Sequence, residues 1–119
     1  MKLEIKDTGG ARLITVPEAR IDASVAIRFK EAMVEAAKEG PERVILDLSN
    51  VDFIDSSGLG AVVASMKLLG NGRRLELARL SPLVEKVFRL TRMDSVFTIH
   101  EDLTWLAGAA EGGGMKNAS

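Results

Sequence analysis

The chain has 119 residues, no cysteine and a formal net charge of -1. That length suits one domain. The missing cysteines exclude disulfides, thiolate nucleophiles and cysteine-ligated zinc, and the charge argues against a protein held to nucleic acid by bulk electrostatics. Apolar residues, at 46%, are enough for a core, yet no apolar run reaches the roughly 18 residues of a membrane span. Met1 to Ile5 lacks the layout of a signal peptide, so a cytoplasmic protein without membrane insertion is expected.

Leu3 and Ile5 alternate with Lys2, Glu4 and Lys6, the pattern of a strand with one buried face. Gly9-Gly10 supplies a hairpin connection to a partner strand at Leu13 to Val16, which Pro17 ends. Ser24 is placed to cap a helix running to about Lys38, with Ala26, Phe29, Met33 and Ala36 on its inner face. Gly40-Pro41 stops it. Arg43 to Leu48 is apolar on both faces, as a central strand covered on both sides would be.

A helix with a stripe of Leu59, Val62, Val63, Met66 and Leu69 follows, closed by Gly70-Asn71-Gly72. Arg74 to Ala78 alternates as a strand, with Leu75 and Leu77 on one side. Ser81-Pro82 opens a further helix, since proline fits a first turn; Leu83, Val84, Val87 and Phe88 form its apolar face. Val96 to Ile99 is a short last strand. Glu101-Asp102 begins a final helix with Leu103, Leu106 and Ala110. Gly112 to Ser119 is glycine-rich and polar, the composition of a flexible tail after a domain spanning 1–111. Strands alternating with helices after an opening hairpin predict an α/β fold: a mixed, mostly parallel sheet of about five strands with about four helices packed on it.

The most informative stretch is Val44 to Leu69, where an apolar strand runs into Asp55-Ser56-Ser57-Gly58 and then straight into a helix. Small hydroxyls therefore stand at a helix start, where unpaired N–H groups and the helix dipole favour negative charge. Asp55 or Ser56 serves as a cap and Gly58 permits a tight turn. By spacing alone, a cap is the simpler account of these four residues. Two adjacent serines exceed what a cap needs, however, and leave one hydroxyl free to face solvent. A phosphate on Ser56 or Ser57 would sit in a favourable field.

Other chemistries fit less well. Asp47, Asp52 and Asp22 could pair as metal ligands or acid-base groups, but loop-end carboxylates are solvated as a rule, and Asp22 nears Ser57 only if its loop shares that edge of the sheet. An aspartate-phosphorylated receiver needs carboxylates after its first strand and a lysine on its last; Thr8-Gly9-Gly10 and Thr98-Ile99-His100 supply neither. The nucleophile elbow of a serine hydrolase lacks its first glycine, because Ile54 or Asp55 stands there. His100, the only histidine, reads as a surface residue. No phosphate-cradling loop is present. The basic run Arg73 to Arg92 fits a solvated helix face or an acidic partner, and Trp105 a core or lid position.

Val44-Ile-Leu-Asp-Leu-Ser followed by Val51-Asp-Phe-Ile-Asp-Ser-Ser-Gly-Leu-Gly resembles the hallmark of STAS domains, most similarly the free-standing bacterial anti-sigma factor antagonists. Arg20-Ile-Asp-Ala resembles their turn before the first helix, and Ser81-Pro-Leu-Val the start of their third. The resemblance implies the STAS fold and a non-enzymatic role, partner switching, with no cofactor of its own. The unphosphorylated antagonist binds an anti-sigma factor and so frees a sigma factor. That anti-sigma factor, a serine protein kinase, phosphorylates the second serine of the motif, here Ser57, and binding ends. A metal-dependent serine/threonine phosphatase resets the cycle. Asp22, Asp55, Ser56, Gly58 and Leu59 would surround the phosphosite and the partner contact. A second reading is a STAS scaffold or accessory subunit, in a stress-signalling assembly or beside a lipid or anion transporter. A third, nucleotide binding, has no loop to support it.

Overall fold

The computed structural model describes residues 1–70 and 72–106. Strands β1 (Glu4–Thr8) and β2 (Ala11–Thr15) form the opening hairpin, with Ile5 opposite Ile14. After β3 (Arg20–Ile21) comes α1 (Ala26–Ala36), then β4 (Arg43–Asp47), β5 (Phe53–Ile54) and α2 (Ser56–Leu68). The chain continues through β6 (Arg74–Ala78), α3 (Pro82–Leu90), a 3-10 turn at Met93–Ser95 and β7 (Ile99–His100). A helical turn opens at Thr104.

The main sheet has five strands in the order β1-β2-β4-β6-β7, parallel except for β1 against β2. This is the mixed, mostly parallel sheet that the alternation predicted. The period of the strands sorts side chains onto its two faces. Ile14, Val44, Leu46, Leu75 and Leu77 meet Phe29 and Met33 of α1, Val62 of α2, and Val84 and Phe88 of α3 in one core. Ala11, Ile45 and Ala78 point the other way, onto Leu106. Three helices thus cover one face and the last turn covers part of the other, which is why β4 is apolar on both sides.

The inner face expected for α1 is buried at all four positions. Its cap is not Ser24: Val25 holds the N-cap position with no side-chain bond, because the Ser24 hydroxyl is taken by Asp22 at 2.6 Å. The helix also stops sooner than Lys38, at Ala36. In α3 the Ser81 hydroxyl caps at Val84 N–H and Pro82 is at the first position, as expected, but Leu83 is exposed, while Val84 and Phe88 are buried and Val87 packs partly buried against the core. The stripe expected on α2 is rotated. Gly58, Ala61, Val62 and Ser65 are buried, and Leu59, Val63, Met66 and Leu69 only partly, because β3 closes on the helix at Gly58 and α1 packs along it. β1 lacks a buried face: Ile5 is exposed at the sheet edge. The last strand is displaced to Ile99–His100, with Met93–Ser95 and Val96 preceding it as a helical turn.

His100 is half-buried rather than on the surface. Its Nε2 lies 2.7 Å from an oxygen of Glu76, a buried carboxylate that also takes a bidentate pair of bonds from Arg43, both at 2.8 Å. Trp105 is a lid over this group, its ring 4.7 Å from that of His100 and 4.6 Å from the Arg43 guanidinium. Asp47, expected near the serines, is buried at the end of β4 and paired with Arg79 at 2.5 Å. Ala110 and the tail from Gly112 lie outside the described residues, as does Asn71.

Candidate functional site

The serine motif is positioned by a second, two-stranded sheet that the sequence pattern did not reveal. After β4 the chain leaves the main sheet. Val51 N–H turns back to the Leu48 carbonyl, and the Ser81 hydroxyl donates to the Val51 carbonyl at 2.9 Å. β5 then pairs in parallel with β3, Arg20 beside Phe53 and Ile21 beside Ile54. The Arg20 guanidinium lies 4.2 Å from the centre of the Phe53 ring, a favourable cation-aromatic contact. Asp55 N–H reaches the Ile21 carbonyl at 3.4 Å. The loop carrying Asp22 is thereby brought to the edge of the sheet where α2 begins.

Asp55 is the cap. Its backbone is extended, its Oδ1 accepts the Gly58 N–H at 2.8 Å, and its Oδ2 accepts the Ala23 N–H at 3.1 Å. One carboxylate satisfies an orphan donor of α2 and ties the β3–α1 loop to it. Gly58 is required by close approach: a Cβ there would stand 1.9 Å from the Ile21 carbonyl oxygen. Leu59 donates its N–H to the Asp55 carbonyl at 2.8 Å and packs partly buried against the core. Together these contacts fix the register of the first turn of α2.

That register leaves Ser56 and Ser57 exposed. Since Asp55 does the capping, neither hydroxyl is consumed by it, and among the described residues neither makes a hydrogen bond. Asp22 is directed into its own loop, accepting from Ser24 N–H at 3.1 Å, from the Ser24 hydroxyl and from Arg20 Nε at 3.2 Å. The Ser24 hydroxyl, then Arg20, hold its carboxyl below the usual range. It is therefore a fixed negative charge one residue from the Asp55 tether. Asp52 is exposed, with its N–H bonded to the Ala19 carbonyl. Asp22, Asp55, Ser56, Ser57, Gly58 and Leu59 are thus brought into one region, and Asp47 is not.

The sequence reading missed the other side of this region. Ser57 shares a recess of about 200 Å³ with Ala26, Ile27 and Lys30 of α1 and Gly60, Ala61 and Ala64 of α2. The available signal was Ile27, an apolar residue off the inner face of α1. Among the described residues no group of His, Asp and Glu is arranged to hold a metal ion, and no helix is long and apolar enough to cross a membrane.

The chain is 29% identical over 99 residues to the anti-sigma-B factor antagonist of Staphylococcus epidermidis, covering 82% of both chains. It is 25% identical over 108 residues to an anti-sigma-F factor antagonist of Mycobacterium tuberculosis, covering 87% of this chain and 88% of that one. The crystal structure of an anti-sigma factor antagonist from Mycobacterium paratuberculosis superposes with a TM-score of 0.77 at 24% identity, covering 92% of each chain, a likeness of fold. The family model described as the STAS domain matches residues 2–104, nearly everything from β1 to the turn at Thr104. With that match and the sheet order described above, the chain belongs to the STAS domain family.

Proposed function

We propose that this chain is an anti-sigma factor antagonist working by partner switching, with Ser57 as its phosphorylation site. The observation that carries the reading is the state of the Ser57 hydroxyl. It is exposed at the N-terminus of α2 while Asp55 and Gly58 hold that terminus in place. The names of the curated relatives, matched over most of their length, support the same reading. The unphosphorylated surface binds an anti-sigma factor of the serine-kinase type and releases a sigma factor. Phosphorylation ends the interaction, and a metal-dependent serine/threonine phosphatase restores it. In this cycle, which runs in the cytoplasm, the chain is a substrate and not a catalyst.

The physical chemistry favours a switch without refolding. A phosphoryl group adds about -1.5 to -2 charges and three acceptor oxygens. The free N–H groups and dipole of the α2 N-terminus tolerate that charge. In a packed interface the same group brings bulk, charge and a desolvation cost. Each loss of about 1.4 kcal/mol there weakens binding tenfold. The test is incubation with an anti-sigma factor kinase, ATP and magnesium, followed by mass spectrometry of the peptides. Phosphate on Ser57 is expected; phosphate found only at other residues overturns the assignment.

A further inference from the structure

The recess beside Ser57 is one end of a longer seam between α1 and α2. A second recess of about 170 Å³ lies farther along the same two helices, lined by Val34, Lys38, Leu68 and Arg73 among others. Large apolar side chains stand in the open along this seam, with Ile27 69% and Leu68 56% exposed. Cations accompany them. Among the described residues Lys30, Lys38 and Arg73 have no carboxylate within ion-pair distance. The Arg73 guanidinium donates instead to the carbonyls of Ala37 and Pro41, which hold its position and leave its charge unneutralised.

Gly60 separates this seam from a merely incidental groove. It is exposed inside α2, where glycine weakens a helix relative to alanine. Unlike Gly58, it answers no need of the fold: a Cβ added there meets nothing within 4 Å. What a glycine offers at that point is close access to the helix backbone from outside.

We propose that the α1–α2 seam seats an amphipathic helix of the anti-sigma factor. Its apolar ridge lies in the groove, approaches closest at Gly60, and carries acidic side chains on its flanks that meet Lys30, Lys38 and Arg73. This follows the general mode in which a helix lays its apolar face into a groove. The proposal rests on the antagonist reading and adds where the partner sits and which charges it presents. Ser57 and Lys30 line the same recess, so a phosphate on Ser57 places its charge beside Lys30, competes with the partner's carboxylates for that cation, and narrows the mouth of the groove.

The test measures affinity for the anti-sigma factor with Gly60→Leu and Ile27→Asp, and with Val96→Asp as a control outside both recesses. Gly60→Leu and Ile27→Asp are expected to weaken binding about tenfold or more, Val96→Asp to leave it unchanged, and Gly60→Leu to melt no lower than the parent. Undiminished binding by both groove variants overturns the seam while the antagonist reading stands. Failure of the parent itself to bind any anti-sigma factor overturns the antagonist reading, and a peptide arm then decides the seam. That arm titrates a helical peptide with leucines at i, i+3, i+4 and i+7 and glutamates on both flanks, followed by amide NMR. Shifts centred on Ile27, Lys30, Gly60 and Ala64, absent with lysine-flanked peptide, are expected. Shifts centred elsewhere, or the same response to both peptides, overturn the proposal.

Discussion

Gly58 of α2 meets Ile21 of β3 backbone to backbone, at a separation that leaves 1.9 Å between the Ile21 carbonyl oxygen and any Cβ on residue 58. The start of α2 is therefore built on a contact that no side chain can enter. Gly58→Ala must push α2 away from β3, and the strain falls on backbone. We expect a loss of about 3 kcal/mol in denaturant unfolding, the upper part of the range for overpacking. Gly60→Ala, two residues on and open to solvent, should instead raise stability by up to about 1 kcal/mol.

Asp55 joins two elements through one carboxylate, capping Gly58 and holding Ala23. Asp55→Ala should cost about 1–2 kcal/mol and speed amide hydrogen exchange at both Gly58 and Ala23. Asp55→Asn keeps a capping oxygen and loses only one of the two acceptors, so exchange should accelerate at Ala23 more than at Gly58. Equal protection in all three proteins would remove the tether from the account.

Ser57→Ala retains the exposed first turn and lacks only the acceptor oxygen. It should bind the anti-sigma factor as the parent does and take up no phosphate from its kinase. Ser57→Asp introduces charge without the full bulk of phosphate. Binding weakened by about 10- to 100-fold, equivalent to roughly 1.4–2.8 kcal/mol, is expected by calorimetry.

Two buried carboxylates make the fold acid-sensitive. Burial pushes the Asp47 carboxyl up, but Arg79 and the Ser49 N–H outweigh it, so its pKa lies below the ordinary 3.8. Burial likewise raises Glu76, and Arg43 and His100 bring it below the ordinary 4.5. A carboxyl whose folded pKa is depressed contributes stability in full above its unfolded value and loses it as pH falls through the folded one. Melting temperature should therefore decline below about pH 4.5, and the Asp47→Asn, Glu76→Gln double variant should show a flatter acid limb.

Trp105 is the only tryptophan, and it lies on Arg43 and His100, both bonded to Glu76. Glu76→Ala removes the carboxylate that holds the Arg43 guanidinium and the His100 ring in place. Trp105 emission should shift to longer wavelength as the lid loosens, with the far-ultraviolet circular dichroism of the helices preserved. An unshifted emission would show that the lid holds without the carboxylate.

The sequence by itself determined whatever depends on neighbours along the chain. β4 was legible because its apolar run implied cover on both faces. The inner face of α1 was legible from the spacing of Ala26, Phe29, Met33 and Ala36, and α3 from Ser81-Pro82. The residues Asp55 to Gly58 declared a helix start, though not which side chain would cap it. Tertiary structure decided the rest. The pairing of β3 with β5 rests on two residues from each strand, too few to leave a period. The face that α2 buries was set by the contact of β3 with Gly58 and the packing of α1 along the helix, because a helix apolar on several sides does not choose between them. Glu76 was hidden for the same reason: Arg43, the partner that permits its burial, stands 33 residues away. Short-range patterns record how a segment folds against solvent. The exposure of Ser57 and the seam beside it depend on which distant segments meet there, and only the assembled sheet brings those together.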